Sequence, residues 1–260
     1  MNNSFLIRSL GSEFSKAKGT FIPWLTIGAP IIYSVLIYLT LYHVGDRIIK
    51  HDSDAWQAVA NQSFEGLYTL LLPLAICLLT ALIYQTDHQA NMWKHLYALP
   101  IPRWGIFFAK SLFVYLLIGL SLILYAMFIV VVGFILSKKY PAWELTNYWE
   151  ALWGILLPTA IKGWIASLGI WSIQNWLSYR FRNFAIPLSL GLGAALVGAI
   201  SIQSWKYAFY FPYSFPMLSL VESKADFNHS ILLTSLCMGG VIFILSVLDA
   251  HWLYRGKGKG

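Results

Sequence analysis

The chain has 260 residues, 58% of them hydrophobic and 11% charged, with a net charge of +7 and two cysteines. Soluble domains carry roughly a quarter charged residues, so this composition excludes an ordinary soluble enzyme. Two cysteines, both inside apolar runs (Cys77 and Cys237), exclude a disulfide-stapled domain.

Residues 4–18 read as an amphipathic helix. Leu6, Leu10 and Phe14 fall four apart with Ile7 beside them, and Arg8, Ser12, Glu13 and Lys16 take the other face. Such a helix lies in a membrane interface. Six apolar runs follow, at about 21–44, 67–86, 111–136, 152–177, 184–202 and 231–248. Each approaches or exceeds the ~20 residues a helix needs to cross a bilayer. Ten-residue alternation of the β-barrel kind is absent, so the runs are helices. The first is too long for a signal-peptide core and has no small-x-small exit. The expected fold is therefore an all-α integral membrane protein, one transmembrane domain over residues 1–260.

Between the first two runs, residues 44–66 read as a polar loop. His51, Asp52 and Asp54 sit close together there, but neighbouring loop residues of this kind are ordinarily solvated and show no metal pattern. Residues 85–110, QTDHQANMWKHLYALPIPRWGIFFAK, form a short polar-aromatic segment between the second and third runs. Trp93, Leu96, Tyr97 and Leu99 fall at roughly helical spacing before the Pro100-Ile101-Pro102 break, and Lys94, Arg103 and Lys110 mark a basic boundary. Two readings stay open: a docking helix for a cytoplasmic partner, or a lipid-surface helix that joins two spans.

Lys162 is the one charge inside the six runs. It lies 17 residues before Tyr179, or ~25 Å along a helix, near the far edge of a ~30 Å hydrocarbon core. It either snorkels to the interface or faces an internal cleft. Ser178–Asn183 is a tight basic hairpin. Gly191, Gly193 and Gly198 allow close helix packing. Residues 203–229 carry many aromatics and two prolines, too aromatic for a free loop and too broken for a span. A re-entrant or interface-hugging connection is expected, its backbone buried against protein or facing water. Tyr210 and Phe215 are its candidate pathway or gate residues, with Lys162; the alternative is a plug that only stabilises the fifth and sixth spans.

With the N-terminus inside, eleven Lys/Arg fall in inner segments and six in outer ones, Lys162 completing the eighteen. The excess puts both termini in the cytoplasm. The positive charge then reflects topology and contact with anionic lipid, and no nucleic-acid partner is expected. Nucleotide loops, HExxH and Cys/His clusters are missing, so no enzyme activity, cofactor site or metal site is expected of this chain.

Two motifs carry a resemblance. Trp93-Lys94-x-Leu96-x-x-Leu99-Pro100-x-Pro102-Arg103, with Asp87 and Lys110, resembles the inner loop of type-2 ABC exporter permeases. Gln174-x-Trp176-Leu177-Ser178-x-Arg180-Phe181-Arg182-Asn183-Phe184-x-Ile186-Pro187 is similar to their bacitracin and lantibiotic self-immunity branch. The family usually has Glu where Asp87 stands. The resemblance implies a separate cytoplasmic ATP-binding cassette subunit, which holds the ATP and docks on Asp87, Trp93, Lys94, Leu96, Leu99, Pro100 and Arg103. It implies a second permease chain, identical or paralogous, in a bacterial cytoplasmic membrane. It implies export or membrane extraction of a peptide antibiotic or other amphipathic compound. The competing reading is a non-transport scaffold or sensor that uses the same inner helix.

Overall fold

A computed structural model describes residues 3–49, 54–89, 103–204, 208–221 and 230–252. Helix α1 (Asn3–Lys18) precedes α2 (Ile22–Ile48). Helix α3 (Ala55–Gly66) runs through a π turn (Leu67–Leu71) into α4 (Leu72–Gln89), and α5 spans Arg103–Lys139. A 3-10 turn (Pro141–Trp143) leads to α6 (Tyr148–Ala151), a second π turn (Leu152–Leu156) and α7 (Leu157–Ala166), which bends by 45° into α8 (Leu168–Arg180). Helix α9 (Ala185–Ser204), two 3-10 turns (Ala208–Tyr210, Pro212–Ser214), α10 (Phe215–Val221) and α11 (Ile231–Trp252) complete it. There are six membrane-crossing rods when the bent α6–α8 pair counts as one, and no strand among the described residues.

Residues 55–66 are helix, not loop. Asp54 caps α3 by accepting from the Trp56 N–H at 3.1 Å. Trp56, Val59, Ala60, Ser63 and Phe64 then form a buried stripe, masked in the sequence by Gln57, Asn61, Gln62 and Glu65 on the opposite face. Two breaks in the backbone ladders are repaired by neighbouring serines. Pro30 inside α2 has no N–H for the Thr26 carbonyl, and Ser121 Oγ of α5 donates to that oxygen at 2.8 Å. The bend at Ser167 frees the Ile165 and Ala166 carbonyls, and Ser235 Oγ of α11 lies 3.1 and 2.9 Å from them. In lipid such groups must find internal partners.

Helix α8 is the most enclosed, with Gly169, Trp171, Gln174 and Asn175 buried between α4, α9 and α11. Gly191 packs on Gln174 and Cys77, and Gly198 on Tyr213, while Gly193 faces open space. Cys77 is buried but Cys237 is exposed, because α11 turns that side away from the bundle. Gly198 is 13 residues above Ala185, or ~20 Å up α9. A Cβ there would stand 2.9 Å from Tyr213 Cβ, so the aromatic connection dips well inside a ~30 Å core. It is re-entrant. Tyr213 is buried and its hydroxyl accepts from Gln174 Nε2 at 2.8 Å, which pairs the amide nitrogen of a polar side chain in the bundle interior and leaves its oxygen, Oε1, without a hydrogen bond among the described residues.

Candidate functional site

Helices α1, α4 and α5 meet at one end of the bundle, at the base of segment 90–102. Four charged side chains converge there. Lys110, about two turns inside α5, places Nζ 2.8 Å from Glu13 Oε2 of α1 and 2.8 Å from Asp87 Oδ2 of α4. Its third neighbour is the Ile83 carbonyl at 3.3 Å; the ammonium donates to that carbonyl and to Glu13 and meets Asp87 Oδ2 as an ion pair without a hydrogen bond. The Tyr84 ring lies 5.4 Å away, within cation–π range. Lys16 bridges the other carboxylate oxygens, 2.8 Å from Glu13 Oε1 and 3.3 Å from Asp87 Oδ1. Asp87 and Lys110 are 0% and 1% exposed.

Electrostatics follows from this geometry. Burial alone lowers the Lys16 pKa, but the hydrogen bonds and charges of Glu13 and Asp87 outweigh it and leave Lys16 raised. Two carboxylates and two ammonium groups balance. A buried network of this kind is weak evidence for net stability, yet removing one partner leaves an uncompensated charge at large cost. It therefore pins three helices in one arrangement. An aromatic ladder backs it: Tyr84 and Phe107 both face Tyr179, at 6.4 and 5.2 Å. Phe243 stacks on Trp171 at 4.8 Å, and Trp171 reaches Tyr115 at 5.0 Å. Tyr115 and Trp164 stack at 4.7 Å and exchange side-chain-to-backbone hydrogen bonds of 3.1 and 3.0 Å.

The docking residues read from the sequence divide. Trp93, Lys94, Leu96, Leu99 and Pro100 lie outside the described residues. Arg103 opens α5. Asp87 is enclosed by Lys16 and Lys110, so its carboxylate points into the chain. Helix α1 also presents itself differently from its sequence pattern. Glu13 and Ala17 are buried, while Phe14 is 54% exposed. The polar face thus meets protein charge, and an apolar residue faces outward. Glu13 and Lys110 were missed as partners, being 97 residues apart. The available signal was a Lys just inside one apolar run and an Asp just at the end of the run before it, a hairpin whose ends can pair.

At the opposite end, Lys162 is exposed and lines a polar cleft with Gln57, Thr159 and Ser219. Tyr210 is 66% exposed, Phe215 is fully buried, and neither lines that cleft. The structure thus separates the three residues grouped as a gate. Trp149 and Trp153 are 72% and 58% exposed, as expected of a lipid-interface belt. Among the described residues no group of His, Cys, Asp and Glu could hold a metal ion.

Six helical spans with almost no interior charge define a multi-pass membrane protein. Residues 9–198 match the family model described as ABC-2 family transporter protein, and the chain belongs to that family. It is the permease component of an ABC transporter; the family's membrane subunits are typically non-catalytic and work with an ATP-binding cassette partner, often as dimers. No curated protein and no solved structure matches the chain.

Proposed function

We propose that the chain is the permease of an ABC exporter, in which residues 88–103 dock on the cytoplasmic ATPase. The observation that carries this reading is the ion pair between Asp87 and Lys110, which closes the base of that segment and ties it to α1 through Glu13. A partner pushing on the segment then moves α1, α4 and α5 together. Trp93, Leu96 and Leu99 fill a groove on the ATPase, with Lys94 and Arg103 framing it, while Asp87 positions the segment from inside the permease. The Lys/Arg excess puts this end in the cytoplasm. A second permease chain, identical or paralogous, completes the pathway.

The cargo is an amphipathic compound, a lantibiotic- or bacitracin-like peptide, expelled or extracted from the membrane, and the consequence is resistance to it. The motif from Gln174 to Pro187 supports this branch, and the aromatic re-entrant connection offers amphipathic surface to such a cargo. The test is co-purification of the chain with its ATP-binding cassette partner, followed by hydrolysis assays with and without peptide. A central aromatic anchor contributes about 2 kcal/mol or more, so Trp93→Ala lowers recovery of the complex while the permease stays inserted. An intact, fully active Trp93→Ala complex would sink the docking claim. Docking without peptide-stimulated hydrolysis would favour a scaffold or sensor.

A further inference from the structure

We propose that the cleft around Lys162 is a binding site for a single oxyanion of phosphate type, such as a phospholipid headgroup phosphate. The cleft has a volume of about 140 Å³, close to the ~150 Å³ cavity known to admit a small ring. Its room therefore suits one small charged group and not a whole peptide.

Three observations converge. The first is charge. Lys162 is the one Lys, Arg, Asp or Glu inside the apolar runs, and among the described residues no carboxylate lies within ion-pair distance of it. A cation at this depth needs either the interface or a counter-ion. The second is the construction of the walls. Both described π turns line the cleft, the first through Tyr68 and the second through Gly154. Such turns are rare and occur frequently at functional sites. Tyr68 is held in place: its hydroxyl donates to the Thr159 carbonyl at 2.7 Å, and its ring fills the space that a Cβ at Gly163 would take.

The third is the donor set. The Thr159 and Ser219 hydroxyls give their protons to the Ile155 and Pro216 carbonyls, at 2.7 and 2.6 Å. That leaves the Lys162 ammonium and the second N–H of the Gln57 amide as donors, the first N–H of Gln57 being given to Asn61 Oδ1 at 3.5 Å. One cation and one amide N–H match an oxyanion. The ~25 Å from Tyr179 to Lys162 along α8 and α7 puts the cleft at the edge of a ~30 Å hydrocarbon core, beside the headgroups.

The test uses the full-length chain in a maltoside detergent. Bound phospholipid is counted by native mass spectrometry during titration with phosphatidylglycerol, and inorganic phosphate is titrated separately by thermal shift. The wild type should hold a phospholipid that Lys162→Gln holds about tenfold more weakly, the usual cost of one charged hydrogen bond. Lys162→Arg should restore it, and Gln57→Ala should weaken it independently. A headgroup source gives phospholipid retention without a response to phosphate. A free-oxyanion source gives a phosphate-induced rise in melting temperature that Lys162→Gln lacks. Equal responses in wild type and Lys162→Gln to both probes overturn the proposal. Neither readout depends on the ATPase or on transport.

Discussion

Replacing Lys110 by Met keeps the length of the stem and removes the ammonium that Glu13 and Asp87 share. The two carboxylates then face each other with Lys16 alone between them, and Asp87 is fully buried. Breaking a buried pair in this way costs about 3–5 kcal/mol. The loss should not be distributed evenly. Helix α1 is held mainly by this cluster and by Leu10 and Ala17 packed on the core, so it should separate before the bundle unfolds. Amide hydrogen exchange in nanodiscs reads this directly: protection over residues 9–18 should fall by orders of magnitude while α8 stays protected. Adding Glu13→Gln restores charge balance, with Asp87 and Lys16 left as a pair, and the double variant should recover most of the protection. Equal protection in Lys110→Met and wild type would refute the reasoning, as would simple additivity of the two substitutions.

Three further outcomes follow from packing and charge. Gly163→Ala sets a methyl group against the fixed Tyr68 ring and should cost about 1–3 kcal/mol, whereas Gly193→Ala meets nothing within 4 Å and should be neutral; thermal melts in detergent compare them. Phe215→Ala empties a fully buried site and should cost about 3–5 kcal/mol, while Tyr210→Ala should leave melting unchanged and lower peptide protection alone if Tyr210 meets cargo. Lys16 has a pKa raised above its ordinary 10.5. Its stabilising contribution is therefore complete below that pH and is lost as pH rises through the higher folded value. Protection of α1 should be flat from pH 7 to about 10 and fall above, and Lys16→Met should flatten the alkaline fall; an identical alkaline curve in Lys16→Met would contradict the assignment.

Much of this architecture was legible in the sequence because bilayer crossing leaves a one-dimensional mark. The six apolar runs and the aromatic, proline-broken connection after α9 needed no long-range information. Helix α3 was hidden because its buried stripe of Trp56, Val59, Ala60 and Phe64 alternates with polar residues that averaging hydropathy treats as loop. The bend at Ser167 was hidden because no proline marks it; the partner that makes it tolerable, Ser235, sits in another span. Helix α1 was legible as amphipathic but not as to which face meets protein, since Glu13 and Lys16 read as solvated until Asp87 and Lys110 are placed beside them. The docking residues and the gate trio were grouped by local composition, and composition carries no depth. That is why Asp87 proved internal, and why Phe215 entered a packed core while Tyr210 stayed outside.

The central claim is that the charged base transmits force from residues 88–103 to the bundle. It is tested most directly by ATP hydrolysis in nanodiscs holding the permease and its ATPase, with and without peptide, comparing wild type with the charge-balanced Glu13→Gln/Lys110→Met pair. The account predicts equal co-purification and equal basal hydrolysis, with the peptide-stimulated part lost because α5, without the Lys110 ammonium, is no longer tied to Asp87 and Glu13, although Lys16 still joins α1 to Asp87. Full peptide stimulation in the paired variant would contradict it.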